Sequence, residues 1–150
     1  MRAGRITASL VLVLVLVLAL LGACAPPVGT SYTEMSVSLP ALKAGEGRVF
    51  FYTPAVRFGG NVQPEIKLNG TLVGFAVPRG FFYVDRPPGR YEATGRSAAD
   101  GRLELPLAAG ETRYVRAFAP AAFSVNTVHF LLVPATEGKA DMAGLVYSGR

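Results

Sequence analysis

The run Pro64-Glu-Ile-Lys-Leu-Asn-Gly-Thr-Leu-Val-Gly-Phe-Ala-Val77 places Asn69-Gly70 between two segments of alternating apolar and polar residues. Both central residues of a type I′ turn need positive φ, which Asn-Gly tolerates best, and the twist of that turn matches the twist of paired strands. The spacing therefore predicts a two-residue β-hairpin in which Leu68 faces Thr71, Ile66 faces Val73 and Pro64 faces Phe75. Neighbours in a strand point to opposite sides, so Ile66, Leu68, Val73 and Phe75 share the face turned to a core and Lys67 and Leu72 share the other.

The rest of the chain follows the same grammar. Its apolar segments are short and are broken every 8–12 residues or so by turn residues, the signature of an all-β domain. Strands are expected at 48–52, 80–84, 90–94, 102–107, 112–118 and 127–133, with 144–147 as a further candidate. Leu103, Leu105 and Leu107 alternate with Arg102, Glu104 and Pro106, so one face of that strand is buried and the other is wet. Pro106 cannot donate to a ladder and puts its strand at a sheet edge. Nothing beyond residue 47 has a helical apolar period at helix length. The expected fold is a small antiparallel β-sandwich of about seven strands.

The N-terminus has a different character. Met1-Arg-Ala-Gly-Arg5 carries two basic residues and no acid, and residues 10–21 read LVLVLVLVLALL without a polar side chain. A basic stretch before a short apolar run is the layout of a secretory signal. A spanning helix needs about 20 apolar residues, more than this run supplies. The next residues, Leu21-Gly22-Ala23-Cys24, resemble the lipobox of bacterial lipoproteins. That resemblance implies a diacylglyceryl thioether on Cys24, cleavage between Ala23 and Cys24, and acylation (palmitate or a similar chain) of the freed amino group. Cys24 is the only cysteine of the 150 residues, so it has no partner for an internal disulfide. Two or three acyl chains hold a protein stably on a membrane, where one short chain holds it marginally. Ala25, in place of the aspartate that resembles an inner-membrane retention signal, implies sorting to the outer membrane, facing the periplasm, in a two-membrane host.

The chain thus divides into a signal peptide (1–23), a lipidated N-terminus and tether (24–46) and a β-sandwich domain (47–150). Proline, glycine, serine and alanine dominate the ends of the tether, which suits a flexible spacer. Its middle, residues 35–42, alternates and could dock as an edge strand. Arg2 and Arg5 leave with the signal, so the mature chain keeps 13 of the 15 basic residues against 10 acids. The arginines are spaced singly, unlike a nucleic-acid-binding arm.

Gly47-Arg-Val-Phe-Phe-Tyr52, Lys67-Leu-Asn-Gly-Thr-Leu-Val-Gly74, Gly80-Phe-Phe-Tyr83, Pro88-Gly-Arg-Tyr91 and Ala109-Gly110 through Tyr114-Val115 occur in that order. Together they resemble bacterial lipoproteins carrying the domain of unknown function 2846, over roughly residues 45–135. The resemblance implies a small β-sandwich on a lipid anchor. It implies no enzymatic activity and brings no functional residues with it.

The residues themselves offer little chemistry. His129, the only histidine, sits in an expected strand, and one histidine with one lipidated cysteine cannot make a zinc site. The ten acids (Glu34, Glu46, Glu65, Asp85, Glu92, Asp100, Glu104, Glu111, Glu137 and Asp141) form no local motif. A carboxylate-dependent envelope hydrolase would need two of them facing each other across a cleft. No nucleophile elbow, phosphate loop or dinucleotide fingerprint occurs. The aromatic triplets Phe50-Phe51-Tyr52 and Phe81-Phe82-Tyr83 must each put a ring on the outer face of a sheet. Unless the tether or the C-terminal tail covers them, Phe50, Tyr52, Phe82 and Tyr83 are the candidate binding surface. The expected function is a non-enzymatic binding or interaction module, without cofactor or metal, held to the membrane by its lipid. Its partner would be another envelope protein or peptidoglycan, not nucleic acid. The alternatives are the hydrolase and a structural, self-assembling lipoprotein.

Overall fold

The computed structural model describes residues 29–55, 62–97, 100–119 and 127–149. Ala23 and Cys24, with the rest of the expected signal peptide (1–23), lie outside the described residues. Among the described residues nine strands form two sheets: β1 (Gly47–Thr53), β2 (Glu65–Leu68), β3 (Thr71–Phe75), β4 (Gly80–Arg86), β5 (Gly89–Thr94), β6 (Arg102–Leu107), β7 (Thr112–Phe118), β8 (His129–Val133) and β9 (Val146–Tyr147). One sheet runs β8-β7-β1-β4-β9 and the other β3-β2-β5-β6. They face each other as a sandwich, as the strand pattern predicts. Most pairs are antiparallel, but β1 lies parallel to β7 and β4 parallel to β9.

The Asn69-Gly70 turn forms with φ of 48° and 79°. Leu68 pairs with Thr71 and Lys67 with Leu72, as expected. Beyond them a bulge enters β3, and Ile66 pairs with Gly74 instead of Val73. The reason lies in the core. Gly74 passes over the Phe82 ring so closely that a Cβ there would sit 2.5 Å from its Cζ. The missing side chain lets β3 carry an extra residue and still close the sandwich. Leu105 and Leu107 are buried, Pro106 is exposed, and β6 is an edge strand, all as its alternation requires.

The sandwich core gathers Val49, Phe51, Ile66, Leu68, Phe82, Leu105, Val115 and Phe130. Phe51 and Phe82 are cross-strand partners, stacked with centroids 5.2 Å apart. A second core lies on the opposite face of the five-stranded sheet and holds Tyr32, Phe50, Tyr52, Phe81, Tyr114, Val133, Met142 and Leu145. The fold is thus three layers deep, and β1 is buried from end to end because it has a core on each side.

Two helices among the described residues build the third layer, where the sequence predicts only strands and loops. α1 (Tyr32–Ser36) begins with a capping box: the Ser31 hydroxyl accepts from Glu34 N while the Glu34 carboxylate accepts from Ser31 N. α2 (Ala135–Met142) packs on β7 through Gly138, where a Cβ would meet Tyr114 at 2.6 Å. A helix of eight residues that docks through a glycine and one methionine leaves almost no apolar period to read. The segment from residue 29 to 46 is not a free spacer, nor does it dock as a strand over 35–42. Ser31 bridges to Val146, Tyr32 N donates to Leu145 O, and the Thr33 hydroxyl donates to Ala143 O. The Tyr32 ring meets Phe50 and Phe81 edge-on at 5.7 and 5.4 Å.

Candidate functional site

Strand parity sorts the two aromatic triplets. Phe51 and Phe82 point into the sandwich, while Phe50, Tyr52, Phe81 and Tyr83 point to the other face of the sheet. The expected binding surface does not survive this arrangement. Phe50, Tyr52 and Phe82 are 2%, 1% and 3% exposed, and Tyr83 is half-buried under the Arg48 guanidinium, 4.4 Å from its ring. The N-terminal segment and the C-terminal tail cover Phe50, Tyr52 and Tyr83, whereas Phe82 is buried inside the sandwich.

Among the described residues the cover is incomplete. Tyr114, Arg116 and Phe118 alternate along β7 on the same face. Tyr114 lies under Tyr32 and α2, but Arg116, Phe118 and Leu131 of β8 border an open cleft. It measures about 670 Å³ and is also lined by Pro54, Arg79, Asp141 and Leu145. Its walls are largely apolar, with charge concentrated at Arg79, Arg116 and Asp141.

Arg116 organises one wall. Its register partner on β1 is Tyr52. Arg116 Nε donates to the Tyr52 hydroxyl and to Asp141 Oδ2, each at 3.2 Å. Its Nη2 donates to Glu137 Oε1 at 2.5 Å and also to Asp141 Oδ2. Tyr52 in turn donates its hydroxyl proton to Asp141 at 2.7 Å. Glu137 and Asp141 stand one turn apart on α2, so both reach the same guanidinium. Burial alone would raise the Asp141 carboxyl, but bonds from Tyr52 and Arg116 outweigh it and hold the group below the ordinary carboxylate range. Burial, with the bond to Asp141, pushes the Tyr52 hydroxyl well above the usual range. Burial disfavours the Arg116 cation, yet bonds to Asp141, Tyr52 and Glu137 raise its affinity for the proton overall. Each group is locked in the charge state it has at neutral pH.

Arg79 holds the other lip. Gly80 N bonds Val77 O, which closes a turn with Pro78 and Arg79 at its centre. Arg79 has φ of 59°, a conformation type II turns normally give to glycine or asparagine. Its exposed side chain makes no ion pair among the described residues.

A second depression, of about 360 Å³, opens on the outer face of the four-stranded sheet. Glu92 and Glu104, directly paired across β5 and β6, line it with Arg90 and Asn69. Arg102 approaches Glu92 at 3.5 Å. His129 is half-buried beside Phe118, with ring centroids 6.0 Å apart. Among the described residues no three His, Cys, Asp or Glu side chains converge as metal ligands. No helix of the described residues is long and apolar enough to cross a membrane.

Sequence reasoning missed the cleft. Its signals were the Pro-Arg-Gly turn at 78–80 and the spacing of Glu137 and Asp141, but neither points to β7 without the tertiary fold.

The model of a family described as "Protein of unknown function (DUF2846)" matches residues 43–130. That span runs from just before β1 into β8 and leaves α1 and α2 outside it. No curated protein matches. The solved structure of the N-terminal domain of AlgF from P. aeruginosa is similar at 18% identity and a TM-score of 0.40, over 63% of this chain and 100% of that one.

Proposed function

The chain belongs to the family described as "Protein of unknown function (DUF2846)", and from that premise we propose that it is a lipid-anchored protein of the bacterial envelope acting as a non-enzymatic binding module. The anchor reading rests on the sequence: a basic start, an apolar run and a lone Cys24 behind Leu-Gly-Ala. In a two-membrane host the protein sits in the outer membrane and faces the periplasm. The binding reading rests on one observation. Among the described residues, the aromatic face of the five-stranded sheet is covered except at the strip Arg116, Phe118 and Leu131, beside an arginine that has no ion-pair partner among them. An apolar wall with a free cation at its lip suits a partner that offers an apolar group next to a carboxylate. An acidic envelope protein and the peptide stems of peptidoglycan both meet that description. Asp141, the one acid among the described residues that line the cleft, is tied to Arg116 and Tyr52.

A photo-crosslinker in place of Leu131, in the full chain in its own envelope, tests the reading. Crosslinked product that disappears with Arg79→Glu is expected. A crosslink pattern unchanged by Arg79→Glu would overturn the cleft as the binding site. Mass spectrometry of the mature N-terminus tests the anchor separately: an unmodified Cys24 thiol would end that part of the proposal.

The hydrolase alternative finds its best footing at Glu92 and Glu104, whose pairing puts two carboxylates side by side in a depression. Hydrolysis of peptidoglycan fragments by the intact protein, lost in Glu104→Gln, would favour it over the binding module.

A further inference from the structure

The chain from residue 37 to 45 reads Val-Ser-Leu-Pro-Ala-Leu-Lys-Ala-Gly and carries one charge, Lys43. No acid occurs between Glu34 and Glu46. In the fold this stretch crosses the outer side of the third layer. Met35 and Leu39 turn inward onto the aromatic core, and Arg48 Nη2 fixes the strap by donating to Pro40 O at 2.9 Å. Its other side faces outward: Val37 is 88% exposed, the most exposed of the large hydrophobic residues described, and Pro40, Ala41 and Ala44 are exposed as well. A single exposed valine is ordinary on a protein surface. The strap is thus an exposed, mostly apolar segment with one lysine and no acid, held to the fold at Pro40 and Glu46.

The position of that neighbour follows from chain length. The fold is tied down from Thr30 onward, where Tyr147 N bonds Thr30 O and Ser31 bridges Val146. A fully extended chain spans at most about 3.6 Å per residue, so the few residues between Cys24 and Thr30 reach roughly 20 Å. From Ser31, α1 and its cap carry the backbone on to Val37 over a path of about 10 Å. An anchor at Cys24 therefore cannot hold the domain at a distance. We propose that the strap of residues 37–44 lies on the membrane surface, with Val37 and Ala41 at the acyl boundary and Lys43 at anionic headgroups. The four-stranded sheet then faces away from the bilayer. The inference rests on the lipid-anchor reading and adds to it an orientation and a lipid-contacting face. Apolar insertion and a basic side chain are the two forces that seat an interfacial segment, and near an anionic surface each lysine adds about 1 kcal/mol of attraction.

The test uses the full lipidated chain in vesicles of phosphatidylethanolamine and phosphatidylglycerol containing nitroxide-headgroup lipid. Because the Cys24 thiol is alkylated in that chain, an added cysteine is the only site for a fluorescent label. Val37→Cys, Ala41→Cys and Glu104→Cys, the last on the outer face of the four-stranded sheet, are labelled in turn. Expected is loss of fluorescence at 37 and 41 and none at 104. Equal quenching at all three positions, quenching at 104 alone, or no quenching at any position while the protein floats with the vesicles overturns the orientation and leaves the anchor reading standing. A chain that does not float, or that carries an unmodified Cys24 by mass spectrometry, fails the anchor reading and the orientation with it.

Discussion

Arg48 Nε and Nη2 donate to the two carboxylate oxygens of Asp85 at 2.7 Å each, and Arg48 Nη2 also reaches Pro40 O at 2.9 Å. The two residues are register partners on β1 and β4, on the face covered by the third layer. One guanidinium thus joins two strands of the sheet to the strap that crosses it. Its bidentate geometry suits the planar fork of arginine, and Tyr83 lies under the plane.

Breaking that pair from one side is expected to be costly. Arg48 is 6% exposed, and its removal leaves Asp85 partly buried without its cation. Arg48→Ala is expected to lower stability by about 3 kcal/mol, the range for breaking a buried pair. Urea unfolding followed by circular dichroism measures it, and Arg48→Met with Asp85→Leu should recover most of the loss.

Arg79 predicts the opposite sign. A side chain at positive φ costs about 1–2 kcal/mol, and glycine removes that cost while adding chain entropy to the unfolded state. Arg79→Gly is expected to raise stability by about 0.5 kcal/mol. A lowered denaturation midpoint would show that the Arg79 side chain contributes more than its backbone costs.

Gly74→Ala tests the bulge. Its Cβ would stand 2.5 Å from Phe82 Cζ, so the ring must shift inside a filled core. The expected loss is about 1–3 kcal/mol, the usual cost of overpacking. Gly70 has nothing within 4 Å of a Cβ but sits at φ 79°, so Gly70→Ala should be destabilising through backbone strain alone.

Tyr32→Ala separates the third layer from the sandwich. Tyr32 touches Phe50 and Phe81 and is the buried residue of α1. Limited proteolysis is expected to cut within residues 29–46 of the variant while the sandwich resists, because a strap with one aromatic anchor opens locally before the sheets unfold.

Acid should act at Asp141. Its folded carboxyl titrates below the ordinary aspartate value, so it favours the folded state above that value. The contribution is lost as the pH falls through the lower, folded value. Asp141→Asn is expected to be less stable than the parent at neutral pH and to show a shallower decline below pH 4 or so. Parallel declines in thermal melts from pH 6 to pH 2 would count against the role given to Asp141.

The sandwich was legible because its signals are local. Asn69-Gly70 fixes a turn, Leu103-x-Leu105-x-Leu107 fixes a face, and Pro106 marks an edge, each through backbone geometry within a few residues. The bulge was not legible, because it depends on Gly74 meeting Phe82 from another strand. Nor was the third layer. α1 and α2 are too short to carry a helical period, and their helicity comes from caps and docking.

Sequence alone thus determined the strands, the principal hairpin, the wet and dry faces of β6 and the family. Two consecutive aromatic triplets also made it certain that rings would point to both sides of a sheet. Which rings are covered was settled only in three dimensions, because covering Phe50 and Tyr52 while the described residues leave the Arg116–Phe118 strip open depends on where residues 29–46 and 134–149 come to rest. Alternation is a property of neighbours along a strand, whereas cover depends on contacts between residues such as Tyr52 and Asp141, 89 positions apart.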